Sequence, residues 1–183
     1  MNYLIFALFM FFSITLNANV NQLPITVNEN LTVKVIESNY KKVGSAQFSV
    51  FFWDIYNSTL YTETGKFIKE SSQQTIVFNI DYLKDITRDD LIDRTIEQWQ
   101  HLNIPKKHYL QFLPYLTEIW PNISAGDSLT LLIKNQESFF YFNGTFIGNI
   151  KQKTFGSLFL SIWLSEKTSQ KTLRRKLLGE HKP

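Results

Sequence analysis

The sequence predicts an α+β protein in which a mostly antiparallel sheet carries helices packed on one face. Three observations predict it. Strand-like segments come first, then two helix-like segments, a hairpin, and two more helix-like segments. Elements segregated in this order build α+β folds rather than doubly wound parallel sheets. Asn143-Gly144 sits between the apolar runs 139–142 and 146–147, the signature of a two-residue type I′ hairpin turn. The 183 residues are 44% hydrophobic and include 16 Phe, 8 Tyr and 4 Trp. That is enough for one domain with a core or a deep apolar pocket.

Taken in order, residues 31–36 (LTVKVI) alternate apolar and polar, which predicts a half-buried strand. Residues 46–61 predict a longer strand, with Phe48, Val50 and Phe52 on one face and Phe51, Trp53 and Ile55 on the other. A strand apolar on both faces belongs at the centre of a sheet, or lines something. Asp54 within that run reads as a hydrogen-bonded structural carboxylate. Thr64, Gly65 and Lys66 make a turn, and residues 75–83 another strand. Thr87 with Asp90 three residues on forms a helix cap, and the helix aligns Leu91, Ile92, Ile96 and Trp99. Pro105 starts a second helix with an apolar stripe from Tyr109 to Trp120, and Pro114 inside that stripe predicts a kink or break. Gly126-Asp127 is a turn, 128–134 a strand, and 154–164 a helix burying Phe155, Leu158, Phe159, Ile162 and Trp163. A last helix runs from Ser169 to Leu178 and is capped by Gly179.

Several function classes are excluded or left without footing. Charged residues make up 19%, which argues against disorder, and a net charge of +3 gives no basis for a nucleic-acid partner. The absence of cysteine excludes disulfides, thiolate zinc sites and Cys nucleophiles. His101 and His108 lack carboxylates at ligand spacing, so no metal is expected, and no motif calls for a cofactor. Residues 1–18 end an apolar stretch on the small Ala18 and predict a signal peptide, leaving 19–183 as a periplasmic or secreted domain. The alternative is a retained N-terminal membrane anchor, although the run is short for a span of roughly 20 residues. Lys171, Arg174, Arg175, Lys176 and Lys182 make a basic C-terminal end. It reads as a solvated helix terminus, or as a peripheral contact with anionic lipid headgroups.

One stretch carries a resemblance. Val43-Gly44-Ser45-Ala46-Gln47-Phe48, continuing through Trp53-Asp54-Ile55-Tyr56 and Leu60-Tyr61, resembles the opening signature of the bacterial chalcone isomerase-like family. Tyr82-Leu83-Lys84-Asp85-Ile86, Phe140-Tyr141-Phe142-Asn143-Gly144 and Ile162-Trp163-Leu164-Ser165 agree with it, as do Leu173-Arg174-Arg175 and Leu177-Leu178-Gly179. The resemblance implies an open-faced β-sandwich, a large antiparallel sheet covered by helices. In that family, plant enzymes close a flavanone ring, and related plant proteins bind fatty acids in the same cleft. The enzymes' Tyr-x-x-Lys-x-x-x-Asn motif falls here on Leu91, Arg94 and Gln98. Leu91 has no hydroxyl, and the nearest candidates for the enzymes' Arg before the central strand are Lys41, Lys42 and Gln47. The fatty-acid-binding relatives hold a carboxylate with an Arg and a Tyr; Tyr56 matches that Tyr, while the partner Arg is missing at the expected place and Arg94 is the substitute for it. Tyr56, Arg94, Gln98 and Tyr61 are therefore the candidate ligand-binding residues. The expected function is non-catalytic binding of a fatty acid or similar small amphiphile. The alternative is an intramolecular lyase or isomerase acting on an enone-like substrate.

Overall fold

The computed structural model describes residues 30–69 and 73–180. Its centre is a six-stranded sheet in sequential order, every neighbouring pair antiparallel. The strands are β1 (Lys41–Val50), β2 (Trp53–Thr62), β3 (Ile76–Tyr82), β4 (Ser128–Lys134), β5 (Glu137–Phe142) and β6 (Thr145–Ile150). Helix α1 (Val33–Asn39) precedes the sheet. Helices α2 (Arg88–His101), α3 (Lys106–Tyr109) and α4 (Leu113–Ile119) interrupt it between β3 and β4. Helices α5 (Phe155–Leu164) and α6 (Lys171–Leu177) follow β6. The fold is α+β, as its segregated elements predict.

Local chemistry explains most of the boundaries. The Thr87 hydroxyl accepts from the Asp90 amide at 3.1 Å and caps α2. Pro114 lies in the first turn of α4, where its missing N–H costs nothing, so the predicted break falls just before it, across a 3₁₀ turn at Leu110–Phe112. Asn143 and Gly144 have φ 49 and 80, the two left-handed residues of a type I′ turn.

The sheet has two unequal faces. One carries Phe78, Ile80, Leu131 and Phe140 against Trp99, Phe112, Leu116, Phe155 and Phe159, and all helices from α2 to α6 contribute to that core. The other carries Tyr61, Val77, Leu132, Phe139 and Tyr141 under Leu31, Ile36 and Tyr40 around α1. Helix α6 lies against the edge strand β1. A Cβ on Gly44 would run into the carbonyl oxygens of Lys176 and Leu177, and one on Gly179 (φ 69) would stand 2.8 Å from the Val43 oxygen. Glycine at both positions lets strand and helix backbones close together.

Two expectations are corrected. Residues 31–36 are not a strand. Thr32 caps α1 by accepting from the Val35 amide at 3.4 Å, and the buried positions Ile36 and Tyr40 follow helical spacing. Six alternating residues are too few to separate a period of 2 from one of 3.6. Residues 46–61 are not one central strand. They are the outermost hairpin, with Val50 paired to Trp53 and Phe51-Phe52 forming the turn. Aromatic residues favour strands, which hides a turn made of two of them. The predicted signal peptide at 1–18 and Lys182 lie outside the described residues. Among the described residues no helix is long and apolar enough to cross a membrane.

Candidate functional site

The helices stand off the sheet at one end and leave a cleft of about 630 Å³. That is within the usual range of small-molecule pockets. Its floor is apolar: Phe48, Tyr56, Ile80, Tyr82 and Leu129 from the sheet, with Trp120 and α5 residues Phe159, Ile162 and Trp163. One face of α2 closes the side, through Leu91, Arg94, Thr95 and Gln98 at helical spacing. The rim is polar, with Asp85, Asp90, Glu97, Ser169 and Gln170. Val50 marks where the cleft meets the β1–β2 hairpin.

Tyr56 is the polar group set into this apolar floor. Its ring stacks on Phe48 at 5.1 Å and meets Tyr82 edge-on at 6.0 Å. The Trp163 indole N–H donates to its hydroxyl oxygen at 2.9 Å. The hydroxyl's own proton meets no acceptor among the described residues, so it remains available to a ligand oxygen. Burial pushes the Tyr56 phenol up to about 12, and the Trp163 hydrogen bond only partly offsets it. Tyr82 is raised further, by burial and by its neighbour Tyr56. Both phenols are neutral donors at physiological pH, not phenolate bases. Among the described residues the cleft lining contains no histidine or lysine.

Arg94 is the only cation of the lining among the described residues, and it is committed elsewhere. It bonds Glu97 at 2.7 Å one turn along α2, with its side chain 76% exposed. Gln98 accepts from Ser169 at 2.9 Å, tying α2 to the segment before α6. With Asp85, Asp90 and Glu97 around it, the rim is acidic in balance.

The structure therefore brings Tyr56, Arg94 and Gln98 into one cleft and leaves Tyr61 out. Tyr61 lies on the opposite face with Val77 and Tyr141, because five residues along a strand is an odd step. Burial raises its phenol, with Glu37 and Asp81 adding to the effect. Lys41, Lys42 and Gln47 are exposed on β1 and do not line the cleft. Trp120 and Trp163 are lining residues that sequence patterning assigned to the core, since a wall aromatic and a core aromatic share the same helical spacing. Among the described residues no group of three His, Asp or Glu side chains could hold a metal ion. A second hollow of about 700 Å³ runs along another face of α5, from Thr154 to Ser165. Among its polar groups, Gln74 bonds the Lys66 oxygen and the Ile68 amide, and Lys69 pairs with Glu166 at 3.1 Å.

A family model described as chalcone isomerase-like matches residues 24–179, and the chain belongs to that family. No curated protein matches the chain. Among solved structures it is similar to a fatty-acid binding protein of Arabidopsis thaliana, with a TM-score of 0.57 at 12% identity. That likeness covers 77% of this chain and 87% of the plant chain, and it is a likeness of fold.

Proposed function

We propose that this protein is a non-catalytic carrier that holds a fatty acid or similar amphiphile in the cleft between sheet and helices. The observation that carries the reading is the cleft's own amphipathy, an apolar floor under a polar rim. The tail lies along Phe48, Phe159, Ile162 and Trp163, and the head faces α2 near Arg94 and Gln98. Tyr56 supplies a hydrogen bond to any ligand oxygen that reaches the floor. The family match and the fold of the plant fatty-acid binding protein support the same reading. The signal-peptide pattern at residues 1–18 supports placing the carrier in the periplasm or outside the cell.

Arg94 contributes little to this binding. An anionic head must compete with Glu97 for it, and an exposed pair of this kind is worth well under about 1 kcal/mol. Affinity therefore comes from the tail. Displacement of a fluorescent fatty acid by unlabelled acids of increasing length tests this. Each added methylene should tighten binding about fourfold until the floor is covered. Leu91→Trp, which places a large ring on the α2 wall, should abolish binding while leaving the circular dichroism spectrum intact. Affinity independent of chain length, or unaltered by Leu91→Trp, would contradict the carrier reading.

A further inference from the structure

Nine large hydrophobic side chains are exposed among the described residues, and four of them are consecutive: Val50, Phe51, Phe52 and Trp53. They form the tip of the β1–β2 hairpin. Phe51 is 93% exposed and Phe52 99%. A fifth, Leu83, sits beside them, its amide bonded to the Ile55 oxygen at 2.8 Å. We propose that this tip inserts into the interfacial layer of a lipid bilayer and sets the mouth of the cleft against it.

Turn chemistry does not explain these residues. Phe51 has φ 53, a left-handed conformation that suits Gly or Asn and costs an aromatic residue about 1 kcal/mol. Nothing in the fold compensates, since neither phenylalanine packs on the core. The patch is convex and only two residues wide at its turn, a poor match to the roughly 800 Å² per side that a stable protein partner covers. Phe and Trp on a protruding tip suit the bilayer interface, where aromatic rings partition between headgroups and acyl chains. Lys84 places its ammonium 4.3 Å over the Trp53 ring, a cation at headgroup level once the ring is inserted. Asp54, held by the Ser49 hydroxyl at 2.6 Å, and Asp85 balance that charge, so attraction is apolar and does not need anionic lipid.

Position adds the functional link, which rests on the carrier reading. Val50 belongs to the tip and also lines the cleft, alongside Phe48 and Ile55 from the same hairpin. A tip seated in the interface brings the cleft to the source of amphiphiles.

Trp53 is the experiment's reporter. It is 63% exposed, whereas Trp99, Trp120 and Trp163 are buried. The full chain is mixed with vesicles of phosphatidylcholine carrying brominated acyl chains, and tryptophan emission is followed. The share of the quenching that is lost in Trp53→Phe is local to the tip, whatever other part of the chain touches lipid. Trp53 emission should shift to the blue and be quenched, and both changes should persist at high salt. Phe51→Asn combined with Phe52→Ser, substitutions suited to the turn, should raise the lipid needed at least about tenfold. Unquenched Trp53, or equal quenching in the double variant, would overturn the proposal. So would a blue shift that grows with protein concentration without lipid, because the tip's partner would then be a second copy. The Trp53→Phe variant keeps the two readings apart. Quenching left in it reports Trp120 and Trp163 meeting an acyl chain in the cleft, independently of the tip.

Discussion

Two hairpin tips of the same sheet solve the same turn problem with opposite chemistry. Between β5 and β6, Asn143-Gly144 supplies two residues suited to positive φ. The Asn143 side chain also accepts from the Ser128 amide and donates to Asp127, both at 2.8 Å. Between β1 and β2 the turn is Phe51-Phe52, with no side-chain hydrogen bond available and both rings in solvent. The first tip is explained by folding alone. The second is not, and its rings stand next to the mouth of an apolar cleft. The root of that same hairpin is as tightly specified as its tip is loose, with Gly44 closed against the end of α6.

The largest expected effect is at the root. Gly44→Ala drives a methyl into the Lys176 and Leu177 carbonyls, which are backbone and cannot swing aside. Thermal or urea denaturation should show a loss of about 3 kcal/mol. At the polar tip, Asn143→Ala removes two hydrogen bonds and a residue suited to φ 49, and should cost about 2 kcal/mol. At the aromatic tip the sign reverses. Phe51→Asn should leave stability unchanged or raise it by up to about 1 kcal/mol. A loss there comparable to Asn143→Ala would erase the contrast between the tips.

Buried phenols add a pH signature, Tyr56 in the cleft and Tyr141 on the opposite face of the sheet. Tyr56 and Tyr141 are pushed from 10.0 to about 12 in the folded chain. The unfolded state then loses these protons first, so it binds fewer protons than the native state above pH 10. Stability should hold up to that point and fall as pH rises from 10 towards 12. Tyr56→Phe should make the fall shallower, as read by denaturation at a series of alkaline pH values. The smallest effect is at the rim. Arg94→Ala should weaken fatty-acid binding less than about threefold, because its charge is already matched by Glu97.

Much of the fold was legible because its signals are local. The Thr87 cap, the break ahead of Pro114, Asn143-Gly144 and the Gly179 terminus all act within a few residues of where they are read. Helix α1 and the Phe51-Phe52 turn were not legible, because each depends on what lies across from it rather than beside it. The site divides the same way. Leu91, Arg94 and Gln98 share a helix face by spacing alone, and their placement on one wall of the cleft follows. Tyr61 was assignable to the opposite face from its odd separation from Tyr56. The cleft volume was not readable, since it is set by how far α2 and α5 stand off the sheet. The Arg94–Glu97 pairing was readable as one of two alternatives, since Asp90 and Glu97 are both within reach of Arg94 along the helix.

A cleft that carries an amphiphile should keep it through purification. Native mass spectrometry of the protein purified from cells, followed by organic extraction, tests this most directly. The account predicts an adduct of lipid mass that is released on extraction, replaced by added long-chain fatty acid, and absent from Leu91→Trp. Protein that is bare when isolated and takes up no added fatty acid would contradict it.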